Sequence, residues 1–161
     1  MRRLVLLAAV LIAFGAGHAH AANEKPGQWR DHCAPDEITK KRVCTAYAIL
    51  KGANGKMVAA LFASTMGQGV YRVQASGADD AKWSKAELQV EDQPTVATTR
   101  CKRAICTFPA AESDRLIKQM MTAKEATIRF TDPAAPERTA TMPLAGFSDA
   151  FRRAEGRLQH P

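Results

Sequence analysis

The sequence predicts a mainly β domain: an antiparallel sandwich or barrel-like sheet with two packed helices, cross-linked by disulfides. Short segments alternate between apolar and polar residues with a period of two, and turn residues separate them. Helical spacing is found in two segments instead. Four cysteines follow an N-terminal segment that has the features of an export signal, so disulfides are expected.

The N-terminal segment has the three parts of a cleavable signal peptide. A cationic start at residues 1–3 is followed by an apolar run over residues 4–14, and small residues lead to Ala19-His20-Ala21. Signal peptidase requires small side chains at the first and third positions before the cut. We therefore expect cleavage after Ala21, with Ala22 as the alternative.

A membrane anchor is the competing interpretation of the same segment. The apolar run over residues 4–14 would be roughly 16 Å long as a helix, whereas a bilayer core of about 30 Å needs about 20 residues. We therefore expect removal of residues 1–21, no transmembrane anchor in the mature chain, and a single domain over residues 22–161.

The strand segments follow one another along most of the mature chain. Strand candidates lie at 28–33, 43–50, 57–63, 70–75, 87–91, 94–101, 105–108, 126–131 and 140–144. The turn signal Gly52-Ala53-Asn54-Gly55 joins the second and third candidates into a predicted hairpin. We expect segments 87–91 and 94–101 to pair with segment 105–108.

The two helical segments lie in the last third of the chain. Residues 112–124 space Leu116, Ile117, Met120 and Met121 as a helix does, and Ser113 is a candidate N-cap. The final segment carries one apolar stripe, formed by Phe147, Ala150, Phe151, Ala154 and Leu158. Both stripes are interpreted as core contacts and not as a cofactor site, and no cofactor is expected.

All four cysteines remain after the predicted cleavage, and they allow three connectivities. We expect the sequence-local pairs Cys33–Cys44 and Cys101–Cys106, because the second pair suits two strands of a hairpin. A zinc site is not expected, since structural zinc sites use cysteine pairs two to four residues apart and the compartment is oxidising. No metal ligands are therefore predicted.

Catalytic residues are not predicted either. Only His32 and His160 remain after cleavage, and His160 stands next to the last residue. His32 precedes Cys33, but neighbouring residues of a strand point to opposite faces, so the two side chains should not meet. The serines lack the glycines of a nucleophile elbow. We expect a protein that is not an enzyme.

The formal net charge is +7 at pH 7, which favours acidic partners. The positive charges are spread along the chain, and the densest group, Lys40-Lys41-Arg42, has no aromatic residues between its members. We therefore interpret that group as a solvated surface and expect no nucleic acid partner. An exposed strand edge and the Arg152-Arg153 face are both candidate binding surfaces.

The arrangement of these features resembles a known family. The residues concerned are Trp29, Cys33 and Cys44, the close pair Cys101 and Cys106 before a helix, the strand Ala126-Thr127-Ile128-Arg129-Phe130, and the ending Met142-Pro143-Leu144-Ala145-Gly146-Phe147-Ser148-Asp149-Ala150-Phe151. This layout resembles the invasion-associated locus B family of small exported bacterial proteins, over about residues 29–151. One departure is Ile105, where family members often have glycine.

The resemblance implies a disulfide-bonded β domain in the periplasm, possibly at the outer surface or secreted, with a virulence role. The first hypothesis is a non-enzymatic protein that acts by binding in host-cell interaction, its partner an unknown envelope or host-surface protein or glycan. The alternative is a structural or stress-related periplasmic protein with no host role. A hydrolase with dispersed carboxylates is the third hypothesis.

Overall fold

The computed structural model describes residues 28–36, 39–78, 82–98, 100–102 and 104–160. The predicted signal peptide, with Ala21 and Ala22, lies outside the described residues. In chain order the elements are Arg30–Pro35 (β1), Arg42–Lys51 (β2), Met57–Thr65 (β3), Tyr71–Gly77 (β4), Lys85–Val90 (β5), Val96–Ala97 (β6), Arg100–Lys102 (β7), Ile105–Thr107 (β8), Ala110–Met120 (α1), Glu125–Asp132 (β9), Ala135–Pro143 (β10) and Phe147–Gln159 (α2). The predicted mainly β class with two helices is confirmed.

The strands form two antiparallel sheets. One has six strands in the order β1-β2-β3-β4-β8-β7, and the other has four in the order β10-β9-β5-β6. The predicted hairpin is present, because β2 and β3 pair on either side of the turn at residues 52–55. That turn is closed by a bond from the amide of Gly55 to the carbonyl of Gly52, and Gly55 has the positive φ that a glycine tolerates.

Side chains from the inner faces of both sheets and of both helices form one buried cluster. Small side chains on the six-stranded sheet, such as Ala46 and Ala63, let α2 approach closely, and Phe147 and Phe151 of that helix are fully buried. The indole of Trp29 donates a hydrogen bond of 2.9 Å to the carbonyl of Pro143, which ties the start of β1 to the end of β10. None of the helices in the described part of the chain is long and apolar enough to cross a membrane.

The cysteine pairing predicted from the sequence is confirmed. Cys33 of β1 is bonded to Cys44 of β2, and Cys101 of β7 is bonded to Cys106 of β8. In each pair the two cysteines are directly opposite one another in the strand register. Because β1 and β7 are the two edges of the six-stranded sheet, each disulfide staples an edge strand to its neighbour.

The start of α1 corrects the prediction of Ser113 as an N-cap. The helix begins at Ala110 after the cap residue Pro109, which provides no side-chain hydrogen bond. Proline suits this place because its fixed φ and missing N–H are tolerated where a helix begins. Ser113 lies one turn inside, fully buried, and donates a hydrogen bond of 3.2 Å to the Pro109 carbonyl. The helix also ends at Met120, before the predicted end at residue 124.

The predicted strand over residues 94–101 is wrong as one element. It is divided into β6, which joins the four-stranded sheet, and β7, which joins the six-stranded sheet. Segment 87–91 was expected to pair with segment 105–108, but β5 pairs with β6 and β9 instead. Thr98 explains the change of direction, because its amide and hydroxyl both bond the backbone of Ala86, which holds this end on the four-stranded sheet.

Candidate binding surface on the six-stranded sheet

The six-stranded sheet has a second face, which we call the outer face, on the side away from the core. Along β2 the side chains alternate: Cys44, Ala46 and Ala48 are fully buried, while Thr45 and Tyr47 between them are partly exposed. Because directly opposite residues of an antiparallel pair share a face, the register extends this outer face across all the strands of the sheet.

One row of side chains crosses the entire outer face. In order across the sheet it consists of Arg30, Tyr47, Phe62, Gln74, Thr107 and Arg100, each directly opposite the next in the strand register. Neighbouring strands lie about 4.8 Å apart, so the row is about 24 Å long. Arg30 and Arg100 stand at its two ends. Between them lie the aromatic pair, Tyr47 and Phe62, and then the polar pair, Gln74 and Thr107.

The centre of the row is an aromatic pair. The rings of Tyr47 and Phe62 are stacked, with centroids 6.4 Å apart and planes 22° apart, and both side chains are partly exposed. Beside them, Gln74 donates from Nε2 to the hydroxyl of Thr107 at 3.1 Å. The position of these side chains is therefore fixed by contacts within the sheet, which leaves their exposed parts available as a preformed surface.

Exposed aliphatic residues flank the row. Among the described residues, the large hydrophobic side chains that are exposed are Val58 at 40%, Ile105 at 46% and Val70 at 50%. Ile105 lies on the outer face by strand alternation, Val58 lies at the register shift near the start of β3, and Val70 directly precedes β4. All three therefore belong to the six-stranded sheet or its turns, and none belongs to the four-stranded sheet.

The charge of the outer face is positive. The only acid in its six strands, all of whose residues the structure describes, is Asp31, which points to the core side opposite Ala46. The guanidinium of Arg72 lies 3.5 Å from a carboxylate oxygen of Asp36, in the turn after β1, and donates to the sulfur of Met66 at 3.4 Å. Arg100 is exposed, and no described acid lies within ion-pair distance of it.

The outer face of the four-stranded sheet is built differently. There Lys85 contacts Glu87 at 2.6 Å, the second carboxylate oxygen of Glu87 contacts Arg129 at 3.2 Å, and Arg129 contacts Glu137 at 3.1 Å. The hydrogen bond from Lys85, followed by that from Arg129, holds the pKa of the Glu87 carboxyl below its usual value. We call this set of four residues the charge ladder.

One of the two binding surfaces predicted from the sequence is occupied within the protein. Arg153 donates from Nε to Asp31 at 2.8 Å, and Arg157 lies 3.1 Å from the other oxygen of that carboxylate, as an ion pair without hydrogen-bond geometry. The Asp31 side chain is 6% exposed. Arg153 therefore serves to hold α2 on β1, whereas Arg152 beside it is exposed.

The remaining residues singled out in the sequence lie apart from one another. His32 is exposed on the outer face, while Cys33 points to the core side, so the two side chains diverge as expected. The described ranges contain no group of three or more His, Cys, Asp or Glu side chains able to hold a metal ion.

Sequence reasoning did not single out the residues of the outer-face row. The apolar segment 43–50 indicated a strand, but it could not indicate that Phe62 and Gln74 would lie beside Tyr47.

Residues 29–155 match the family model described as invasion associated locus B (IalB) protein. The fold is similar to the crystal structure of invasion associated protein B from Bartonella henselae, with a TM-score of 0.63, 22% sequence identity, and coverage of 85% of this chain and 98% of that chain. No curated protein matches the chain by sequence. The resemblance predicted from the sequence is confirmed at the level of the family.

Proposed function

Because the chain belongs to the invasion-associated locus B family, we propose that it is an exported, non-enzymatic protein that acts by binding a protein partner in host-cell interaction. The partner is a component of the bacterial envelope or of the host-cell surface. The compartment we propose is the periplasm, with the outer surface or the medium as a further destination. The two disulfides support a place outside the cytoplasm, where such bonds persist.

The outer face of the six-stranded sheet is the observation that carries this proposal. It combines the aromatic pair of Tyr47 and Phe62 with exposed Val58 and Ile105. Protein interfaces are enriched in aromatic residues and arginine, and exposed apolar groups with a polar rim mark interaction sites. A protein partner fits this face better than a glycan, because exposed aliphatic side chains flank the aromatic pair and the polar pair of the row, Gln74 and Thr107, bond each other.

The proposed face also accounts for a non-enzymatic role. Its distinctive side chains are aromatic, aliphatic and guanidinium groups, which supply contact area and fixed charge. The row itself contains no His, Asp, Glu or Cys, the side chains that most often act as general acids and bases. We therefore assign the face to recognition.

A structural or stress-related periplasmic protein with no host role is the second candidate function. The observation that favours it is the stapling of both edges of the six-stranded sheet, which suits a domain that must persist in the envelope. A deletion strain distinguishes the two. Reduced host-cell entry with an intact envelope supports the host-interaction proposal. Normal entry with an envelope sensitive to detergent contradicts it and supports the structural one.

Affinity capture with matched surface variants tests the binding face directly. The bait would be the purified protein with Val58→Asp and Ile105→Asp, compared with the wild type and with Thr139→Asp and Thr141→Asp on the exposed strand β10. Quantitative mass spectrometry would follow the proteins captured from envelope and host-membrane extracts. We expect the outer-face variant to capture at least tenfold less of a partner that the wild type and the β10 variant both capture. Equal capture by all three proteins would contradict the assignment of the face.

A further inference from the structure

A cleft lies beside one end of the outer-face row, and we call it the α1 groove. It is lined by residues from the turn before β4, from β7 and β8, and from the first turn of α1, and its volume is about 700 Å³. Small-molecule sites commonly have volumes of this order. Met66, Val70 and Phe108 line it together with Arg72 and Arg100.

The charge of the α1 groove has one sign. Among the described residues that line it, the charged ones are arginines and none is an acid. Arg72 is held by a 3.5 Å ion pair to Asp36 and by the sulfur of Met66, both weaker contacts than a carboxylate at hydrogen-bond distance. Arg100 lies on β7 and is exposed. An anion in the groove would therefore meet two arginines and no carboxylate among the described lining residues, and charge-assisted hydrogen bonds are the strong ones.

The hydroxyl groups that line the α1 groove are already bonded within the protein. Tyr71 donates to a carboxylate oxygen of Glu155 at 3.0 Å, and this bond, followed by burial, raises the pKa of the phenol. Ser113 donates to the Pro109 carbonyl and accepts from the amide of Val73, and Thr107 accepts from Gln74. These side chains have little capacity left for a peptide backbone or a sugar, both of which need several donors and acceptors.

The apolar wall completes the chemistry of the groove. Phe108 is buried, and Val70, which is 50% exposed, presents apolar area at the groove. A ligand that matches all these features has an unbranched apolar body and one anionic end, with no polar groups between them.

We propose that the α1 groove binds a medium-chain fatty acid, with the carboxylate between Arg72 and Arg100 and the acyl chain against Met66, Val70 and Phe108. This site adjoins the protein-binding face and shares Arg100 and Thr107 with the outer-face row, but it takes a small molecule and uses apolar residues other than Val58 and Ile105. No bond is made or broken, and the protein acts as a carrier or sensor of the free acid.

Isothermal titration calorimetry with sodium decanoate, below the concentration at which it forms micelles, tests the proposal on the purified, disulfide-bonded protein. We expect 1-decanol, which has the same chain without the charge, to bind at least tenfold more weakly. Arg100→Gln should weaken decanoate binding about tenfold, because one charge-assisted contact is lost. Arg152→Gln, a change at an exposed arginine on α2, is the matched control and should bind as the wild type does.

Several outcomes would overturn the assignment. Equal binding of decanol and decanoate, or an Arg100→Gln variant that binds decanoate as the wild type does, excludes the proposed carboxylate site. Arginine-dependent binding to phosphatidylglycerol vesicles without any binding of free decanoate would replace it by a membrane surface. Val58→Asp with Ile105→Asp should leave decanoate binding unchanged, so this site and the protein-binding face can fail separately. Circular dichroism confirms that Arg100→Gln, a change at an exposed residue, remains folded.

Discussion

Both sheets present a solvent-facing surface through strand alternation, but the two surfaces differ in how their charged side chains are arranged. On the four-stranded sheet, the charge ladder pairs Lys85, Glu87, Arg129 and Glu137 with one another. On the six-stranded sheet, arginines stand at both ends of a row that has aromatic residues at its centre, and its outward side chains include no acid. One surface pairs its charged side chains with one another, and the other has partly exposed aromatic and aliphatic side chains between its arginines.

The covalent cross-links follow the same division. Both disulfides lie in the six-stranded sheet, at its two edges, and the described strands of the four-stranded sheet contain no cysteine. A surface that is to meet a partner benefits from being rigid, because less conformational entropy is then lost on binding. We propose that stability and recognition are supplied by different residues, the disulfides for the first and the outward side chains of the six-stranded sheet for the second. The predictions below test that separation.

Removal of the disulfides should produce the largest effect. On the chain-entropy model, replacing both members of a pair with alanine costs about 3 kcal/mol for Cys33–Cys44 and about 2 kcal/mol for Cys101–Cys106, since the first closes the longer loop. Chemical denaturation of the two double variants measures the free energy of unfolding. The outcome that opposes a stapling role is a double variant that unfolds at the wild-type denaturant concentration.

Gly77→Ala should destabilise the junction between the sheets. An added Cβ would lie 2.7 Å from Cζ2 of Trp83, whose ring packs on Phe130 of the four-stranded sheet with centroids 5.0 Å apart. Overpacking of this kind costs about 1–3 kcal/mol. Thermal unfolding would be compared with Gly156→Ala, where nothing lies within 4 Å of the new Cβ and a small stabilisation is expected in a helix. Equal melting temperatures for the two variants would oppose this account of Gly77.

Glu87→Gln should remove an acid-sensitive contribution from the charge ladder. The pKa of Glu87 is lowered in the folded protein from an ordinary value of 4.5, so its contribution is present above pH 4.5 and is lost as the pH falls through the lower folded value. For a pair near the surface the contribution is about 0.5–1 kcal/mol. Unfolding measured from pH 7 to pH 3 should show a smaller loss in this variant than in the wild type.

Glu125→Gln provides the matched control for the charge ladder. Glu125 is exposed on the adjacent strand β9 of the same sheet, and its side chain takes no part in the ladder. We expect it to keep the wild-type dependence of stability on pH. If Glu87→Gln and Glu125→Gln gave the same curve, the ladder would not be the source of the acid sensitivity.

Ile105→Thr should have the smallest effect on stability and a clear effect on binding. Exposed substitutions usually change the free energy of unfolding by less than about 0.5 kcal/mol, and threonine keeps the β-branched shape that suits a strand. Ile105 is 46% exposed on the outer face. We expect wild-type melting together with reduced partner capture. Reduced stability with undiminished capture would reverse the separation proposed above.

Local patterns predicted much of this fold, because they act over short distances. Alternation over 126–131 and the turn at 52–55 specify their strands directly, and the disulfide pairing follows from short spacings. The division of segment 94–101 between two sheets depends on the bonds from Thr98 to Ala86, which no periodicity indicates.

The binding surface was harder to predict than the fold for the same reason. Arg153 looks available in the sequence, but Asp31, which is 122 positions away, occupies it in the structure. The outer-face row likewise gathers one residue from each of six strands through register that long-range packing determines. Surface character could be predicted strand by strand, but adjacency between strands could not.

The bond from Trp29 to the Pro143 carbonyl spans 114 positions and joins the first described strand to the last one. A polypeptide is delivered from its N-terminal end, so Trp29 must wait for nearly the whole domain before its indole can be paired and covered by Phe147. Until then the edge of β1 lacks its final anchor. The first segment of the domain to be synthesised is therefore the last to be anchored by its tertiary contacts.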